Sequence, residues 1–185
     1  MRVALQAVRA SLPAERAAAA AESVARRVLA LPAVAAAERV GLYAALPDEL
    51  PTGPLLEALR QLRKPTLFPR CGRDGRLEFA PAAHFEDLRA GRYGVAEPVA
   101  AAVALSDRDC VVVPGVAFDR HGGRLGRGRA WYDRTFPAAS PTPTLVGVGY
   151  AFQCVDAVPV TAEDRRLDAV VTDEETWWRG REVRP

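Results

Sequence analysis

The sequence predicts an α/β layered fold in which a largely parallel central sheet is flanked by helices. Three observations predict it. Strand-like runs alternate with helical stretches along the chain, the order that βαβ units impose. The most apolar run, Cys110-Val111-Val112-Val113, has no polar alternation, as expected of a strand buried on both faces. That run stops at Pro114-Gly115 and opens into a glycine-rich loop, the place where open α/β sheets receive ligands. With 185 residues the chain can bury about 70% of its unfolded surface, so residues 1–185 are expected to form a single domain needing no disulfide or structural metal.

Taken in order, Ser11-Leu12-Pro13-Ala14-Glu15 reads as a helix start, with the serine as cap and the acid near the positive end of the helix dipole. This helix is expected to reach Leu31, where Pro32 stops it, and residues 33–39 add a short second helix. Val40-Gly41-Leu42-Tyr43 is a buried strand. The turn-rich stretch Leu46-Pro47-Asp48-Glu49-Leu50-Pro51 follows, and Thr52 caps a helix whose Leu55, Leu56, Leu59 and Leu62 share one face. Residues 65–69 form a short strand, and Gly72-Arg73-Asp74-Gly75 turns into a hairpin partner at residues 76–79. One helical turn fits residues 84–88, and residues 91–98 read as a loop without periodicity. After the apolar strand come a long glycine and arginine loop at 119–129, a helix start at 131–136, a proline-rich connection at 137–143, and strands at 145–150 and 169–171.

Lys64 is the only lysine, and the remaining 24 of the 25 basic residues are arginine, set against 23 acidic ones. The net charge of +2 is too small for a general polyanion binder, so anion recognition must be local and must use guanidinium groups. Cys71, Cys110 and Cys154 lie far apart, with His84 and His121 the only histidines, a pattern that argues against zinc. No stretch has the length of a signal-peptide core or a membrane span, so a cytoplasmic protein without a membrane partner is expected, and the near-zero net charge argues against nucleic acid as a partner.

The chemistry concentrates between Val113 and Arg134. Gly122, Gly123, Gly126 and Gly128 let backbone amides approach an anion, Arg124, Arg127 and Arg129 offer bidentate phosphate donors, and the following helix directs its positive end at the loop. Neither dinucleotide nor P-loop fingerprint fits, because position 131 is Trp and no Gly-Lys-Ser/Thr run exists. A glycine and arginine loop is equally readable as a surface loop whose arginines are solvated or paired with Asp119 and Asp133. Asp133 is placed either to hold a divalent cation or to cap a helix start. Glu49 lies on the loop beyond the first strand, the same sheet edge, and either meets the same ligand or stays exposed. His121 reads as a turn or surface residue.

These residues carry a resemblance. Tyr43 with Asp48-Glu49-x-x-Thr52, Phe68-Pro69-Arg70, Tyr93-Gly94-Val95-Ala96-Glu97-Pro98, Gln153, and Val158-Pro159-Val160 leading to Asp164 and Asp168 accompany Val-Pro-Gly-x-Ala-Phe-Asp, Arg-Leu-Gly-x-Gly and an aromatic-Tyr-Asp. The chain resembles the 5-formyltetrahydrofolate cyclo-ligase (5,10-methenyltetrahydrofolate synthetase) family over most of its length. The resemblance implies a monomeric enzyme that carries out ATP- and Mg2+-dependent cyclisation of 5-formyltetrahydrofolate to 5,10-methenyltetrahydrofolate, releasing ADP and phosphate. It implies an ATP site at Arg124, Leu125, Gly126, Arg127, Gly128, Arg129, Ala130, Trp131 and Tyr132. Folate contacts are implied for Glu49, Arg127, Gly128, Arg129, Ala130 and Trp131, and magnesium for Asp133 and Asp164.

The chain also departs from the pattern of the family it resembles. Members commonly read Gly-x-Gly-Gly-Gly or Gly-x-Gly-Lys-Gly where this chain has Gly126-Arg127-Gly128-Arg129-Ala130, and an alanine is strained wherever glycine supplies a positive φ. The family's amino-terminal Lys-x-x-Leu-Arg is matched by Arg2 and Leu5 only, with Gln6 in place of the arginine. The start is therefore expected to be truncated, or its phosphate contacts rearranged with Arg9 as substitute. These departures motivate an alternative, a divergent homologue that binds reduced folate or nucleotide without efficient turnover. An arginine and aromatic RNA-binding module is a third reading, weakened by the near-zero net charge.

Overall fold

The computed structural model describes residues 1–137, 143–161 and 164–179. Its elements in chain order are α1 (Arg2–Ala10), α2 (Ala14–Leu29), α3 (Pro32–Ala36), β1 (Val40–Gly41), α4 (Gly53–Gln61), β2 (Thr66–Cys71), β3 (Leu77–Pro81), β4 (Leu88–Ala90) and β5 (Ala96–Pro98). They continue with β6 (Cys110–Pro114), β7 (Ala117–Phe118), β8 (Arg124–Leu125), α5 (Trp131–Thr135), β9 (Thr144–Gly149), β10 (Ala169–Thr172) and β11 (Thr176–Trp178). The central sheet has the order β11-β10-β9-β6-β1-β2-β3. Its five inner strands are parallel, as expected, and an antiparallel strand closes each edge.

Both faces of the sheet are buried, which is why its strands read as continuous apolar runs. In β6, Cys110 and Val112 face a core shared with Ala20, Val24 and Val28 of α2 and Leu55, Leu56 and Leu59 of α4. Val111 and Val113 face the opposite core with Phe118, Phe136, Leu145 and Leu167. On that side cover comes from β7, α5 and loop segments, so backbone must approach the sheet closely. Gly147 allows this: a Cβ there would sit 2.4 Å from Leu167 Cδ1 and 2.8 Å from Phe118 Cε1.

Several local expectations are corrected. Ser11 does not cap α2, because its hydroxyl donates to Val8 O at 2.9 Å and closes α1 instead. Pro32 stops α2, which ends at Leu29, and also opens α3. The Thr52 hydroxyl donates to Tyr43 O at 2.8 Å, tying the loop to the chain just beyond β1 rather than capping α4. Leu62 lies beyond the last turn of α4 and is 66% exposed. Residues 91–98 are not structureless: they contain a 3-10 turn at Arg92–Gly94 and β5, which pairs with β4. The 119–129 loop includes β8, paired with β7. The connection at 138–142 lies outside the described residues.

α1 inverts the usual amphipathic pattern. Val3 and Val8 face solvent, and its one buried residue is Arg9, 4% exposed. The guanidinium anchors the helix by donating to Gly115 O at 2.9 Å and to Asp48 Oδ2 at 2.5 Å. Buried Gln153 donates to the same Gly115 carbonyl at 2.8 Å and to Val116 O at 3.0 Å, so the sheet-to-loop junction after β6 is held from two directions.

Candidate functional site

Parallel strands point their carboxyl ends at one edge, and there the loop after β1, the end of β2, Pro114 at the end of β6 with Gly115 after it, and the glycine loop enclose a cleft of about 600 Å³. Glu49, Arg124, Leu125, Gly126, Arg127, Gly128, Arg129, Ala130, Trp131, Tyr132, Asp133 and Asp164 all line it. The sequence left open whether Glu49 and the glycine loop meet; Arg127 Nε donates to Glu49 Oε1 at 3.0 Å.

The glycine loop is rooted by Asp119, 3% exposed, whose carboxylate accepts the backbone N–H groups of His121 (2.8 Å), Gly123 (2.8 Å) and Val158 (2.8 Å). Burial alone pushes the Asp119 carboxyl up, and those three bonds outweigh it, leaving it below its ordinary range. Asp119 therefore shapes the loop and pairs with none of its arginines. His121 is exposed, in keeping with a surface role. Beyond β8 the chain turns through Gly128 at φ +91, where a Cβ would lie 3.4 Å from the Arg2 guanidinium, and Ala130 at φ 51 and ψ 26. Ala130 thus occupies the left-handed region that the sequence flagged as glycine territory, at a strain of about 1 kcal/mol. α5 begins directly after it and has five residues, too few for its dipole to carry the anion affinity expected of it.

Charges alternate around the cleft. Arg124 donates to Asp133 Oδ1 at 2.5 Å and sits 5.3 Å over the Tyr132 ring. Arg127 bonds both Glu49 and Asp48. Arg129 stacks 3.8 Å over Tyr93, whose ring centre is 6.2 Å from that of Trp131. Burial, reinforced by Glu49, pushes the Tyr132 hydroxyl up, so it stays a neutral hydrogen-bonding group. Cys71 is pushed up to about 11 by burial and by Glu97, making it a protonated wall residue rather than a nucleophile. Asp164 accepts the Thr161 N–H at 2.7 Å. Arg2 and Arg129 have no carboxylate partner among the described residues, which leaves the cleft with cations ready for an anion.

Arg9 is not the expected substitute for a missing phosphate ligand, because it is buried behind the cleft on Asp48 and Gly115. Arg2 and Gln6, one helical turn apart on α1, line the cleft themselves. Sequence reasoning placed no helix there. The i, i+4 spacing of Arg2 and Gln6 was the available signal, masked by the outward-facing valines. Tyr93, Arg70 and Glu97 also line the cleft and were visible only as members of family motifs.

A family model described as the 5-formyltetrahydrofolate cyclo-ligase family matches residues 1–173. The chain belongs to this family. A 5-formyltetrahydrofolate cyclo-ligase of Escherichia coli (strain K12) is 35% identical over 165 residues, covering 84% of this chain and 89% of the relative. A probable cyclo-ligase of Schizosaccharomyces pombe is 28% identical over 169 residues, covering 82% and 83%. Among solved structures, the 5,10-methenyltetrahydrofolate synthetase of Aquifex aeolicus superposes with a TM-score of 0.81 at 27% identity, over 100% of this chain and 94% of that one. The Mycoplasma pneumoniae synthetase shares the fold, with a TM-score of 0.69 at 20% identity over 93% and 96%. The cyclo-ligase family match includes α1, the helix whose Arg2 and Gln6 reach the cleft.

Proposed function

We propose that this chain cyclises 5-formyltetrahydrofolate to 5,10-methenyltetrahydrofolate at the expense of ATP, with both substrates in the cleft. The observation that carries the reading is the convergence there of the glycine loop, Arg2, Arg124 and Arg127 with the carboxylates Glu49, Asp133 and Asp164. A formyl amide oxygen is a poor leaving group. Its attack on the γ-phosphorus forms an O–P bond and releases ADP; folate N10 then attacks the activated carbon, phosphate leaves, and loss of the N10 proton gives the methenyl bridge. Little of this needs a protein acid or base, so positioning and charge neutralisation carry the catalysis. The amides of residues 126–128 with Arg124, Arg127 and Arg2 would hold the triphosphate, and Glu49 would accept N–H bonds from the folate.

Magnesium fits the donor set: Asp133 gives one oxygen to Arg124 while the other has no partner among the described residues, and Asp164 shares the cleft. Two carboxylates suit an ion that completes its shell with phosphate oxygens and water; among the described residues no group of three or more acidic, Cys or His side chains is placed to hold a metal ion by itself. When bound, the ion would neutralise charge on the phosphates. The three unpaired thiols support a reducing, cytoplasmic setting, and no helix among the described residues is long and apolar enough to cross a membrane. Appearance of methenyltetrahydrofolate absorbance from 5-formyltetrahydrofolate, with ATP and magnesium and then with each omitted, tests the proposal. Product only in the complete mixture supports it, and no product from folded protein overturns it.

A further inference from the structure

Arg9, Asp48, Arg127 and Glu49 form an unbroken series of alternating charge. They join three segments distant in sequence: α1, the loop after β1 and the glycine loop. Buried Arg9 donates to Asp48 Oδ2. Arg127 donates through Nη2 to Asp48 Oδ1 and through Nε to Glu49 Oε1 at 3.0 Å. The second oxygen of Glu49, Oε2, accepts the Leu46 N–H at 3.1 Å. Both oxygens of Glu49 are thus occupied within the chain, one of them by a guanidinium. Each oxygen could accept one bond more, but a folate N–H approaching Glu49 meets a carboxylate whose charge the Arg127 guanidinium already neutralises, and the bond it makes there is weaker than one to a free carboxylate.

A phosphate changes this balance. Arg127 lies on the glycine loop, and a polyphosphate offers its guanidinium more negative charge than the two carboxylates do. Arg2 and Arg129, which have no carboxylate partner among the described residues, attract the anion to the same place. Asp48 is not stranded when Arg127 departs, because Arg9 stays on its other oxygen and is itself pinned to Gly115.

We propose that Arg127 is a latch between the two substrate sites, kept closed by Asp48 as a positioning residue and opened by nucleotide phosphate, which frees Glu49 for the folate. The inference rests on the assignment of ATP and folate to this cleft. It goes further in making the two affinities interdependent: nucleotide strengthens folate binding, and by linkage folate strengthens nucleotide binding by the same factor.

Calorimetric titration of the full chain with 5-formyltetrahydrofolate, alone and with saturating β,γ-imido-ATP and magnesium, measures the coupling. The latch predicts folate affinity at least about 5-fold higher with the nucleotide analogue. Equal affinity in the two conditions overturns the latch alone. Absence of folate binding in both overturns the substrate reading, and the latch with it.

Asp48→Asn separates the latch from any direct contact between the two ligands. The asparagine oxygen still accepts from Arg9, while its NH2 group cannot hold Arg127. Folate binding without nucleotide is then expected to tighten by about 3-fold or more, with the coupling reduced, because the closed state has lost one anchor. A residue of purely structural importance would weaken binding on mutation. Unchanged coupling in a folded Asp48→Asn protein, or weaker folate binding without nucleotide, overturns the proposal; should the variant not fold, the wild-type titrations decide.

Discussion

Replacing Arg9 with leucine removes the contact on which the position of α1 depends. Two charge-assisted hydrogen bonds are lost, to Gly115 O at 2.9 Å and Asp48 Oδ2 at 2.5 Å, each contributing about 1.5–3 kcal/mol. Part of that is returned. Arg9 Nε is buried without a partner among the described residues, and its removal recovers a desolvation penalty of about 1 kcal/mol. Gly115 O keeps its bond from Gln153, and Asp48 keeps Arg127. The net loss is about 3 kcal/mol, equivalent to a fall in Tm of about 6–12 °C for a chain of this size. Urea unfolding followed by far-ultraviolet circular dichroism reads it directly. The pH dependence gives a second check. Burial pushes the Asp48 carboxyl up, but the bonds from Arg9 and Arg127 outweigh it and hold it below the ordinary 3.8. The stabilisation is therefore complete above the unfolded value and decays as pH falls through the lower folded value. The gap between wild type and Arg9→Leu is expected to be full at neutral pH and to narrow below about pH 4. A loss under about 1 kcal/mol, or a gap constant down to pH 3, would refute the anchoring role.

Gly147→Ala places a Cβ 2.4 Å from Leu167 Cδ1 and is expected to destabilise by about 1–3 kcal/mol in the same unfolding assay; a neutral result would mean that Leu167 yields freely. Ala130→Gly relieves a left-handed alanine, and strain relief of about 1 kcal/mol against greater unfolded-state entropy predicts a gain of up to about 0.5 kcal/mol with turnover maintained or raised; a large loss of turnover would contradict this. Asp133→Asn is expected to lower turnover most at limiting magnesium, and an unchanged magnesium titration would remove Asp133 from the metal site. Asp119→Asn leaves one acceptor oxygen for three N–H donors, so stability should drop by about 2 kcal/mol at neutral pH and less in acid, where the wild-type carboxylate loses its advantage as pH falls below 3.8; equal stability at pH 7 would sink this account of the loop's root.

The parts of the fold legible in the sequence were those with simple burial. Cys110-Val111-Val112-Val113 buries both faces and so declares itself a central strand, and Leu55, Leu56 and Leu59 of α4 repeat at helical spacing against the core. The glycine loop was legible because its glycines and arginines are contiguous. α1 was not, since its buried group is an arginine and its valines face water, the reverse of the periodicity that identifies a helix. β11 was missed because its three residues are only half covered at an edge, and β4 and β5 are too short for alternation to show. Ser11 and Thr52 are cap-type residues in cap-like positions, yet their hydroxyls go to Val8 O and Tyr43 O. Such choices depend on partners brought by tertiary structure. The meeting of Glu49 with Arg127 likewise required the strand order β6-β1-β2, which no local pattern encodes.

The central claim is that this cleft activates the formyl oxygen by phosphorylation before ring closure. Turnover of 5-formyltetrahydrofolate carrying 18O in the formyl group, followed by mass analysis of the inorganic phosphate, tests it most directly. The account predicts one labelled oxygen in each phosphate released. Unlabelled phosphate, with the label recovered in water, would contradict it.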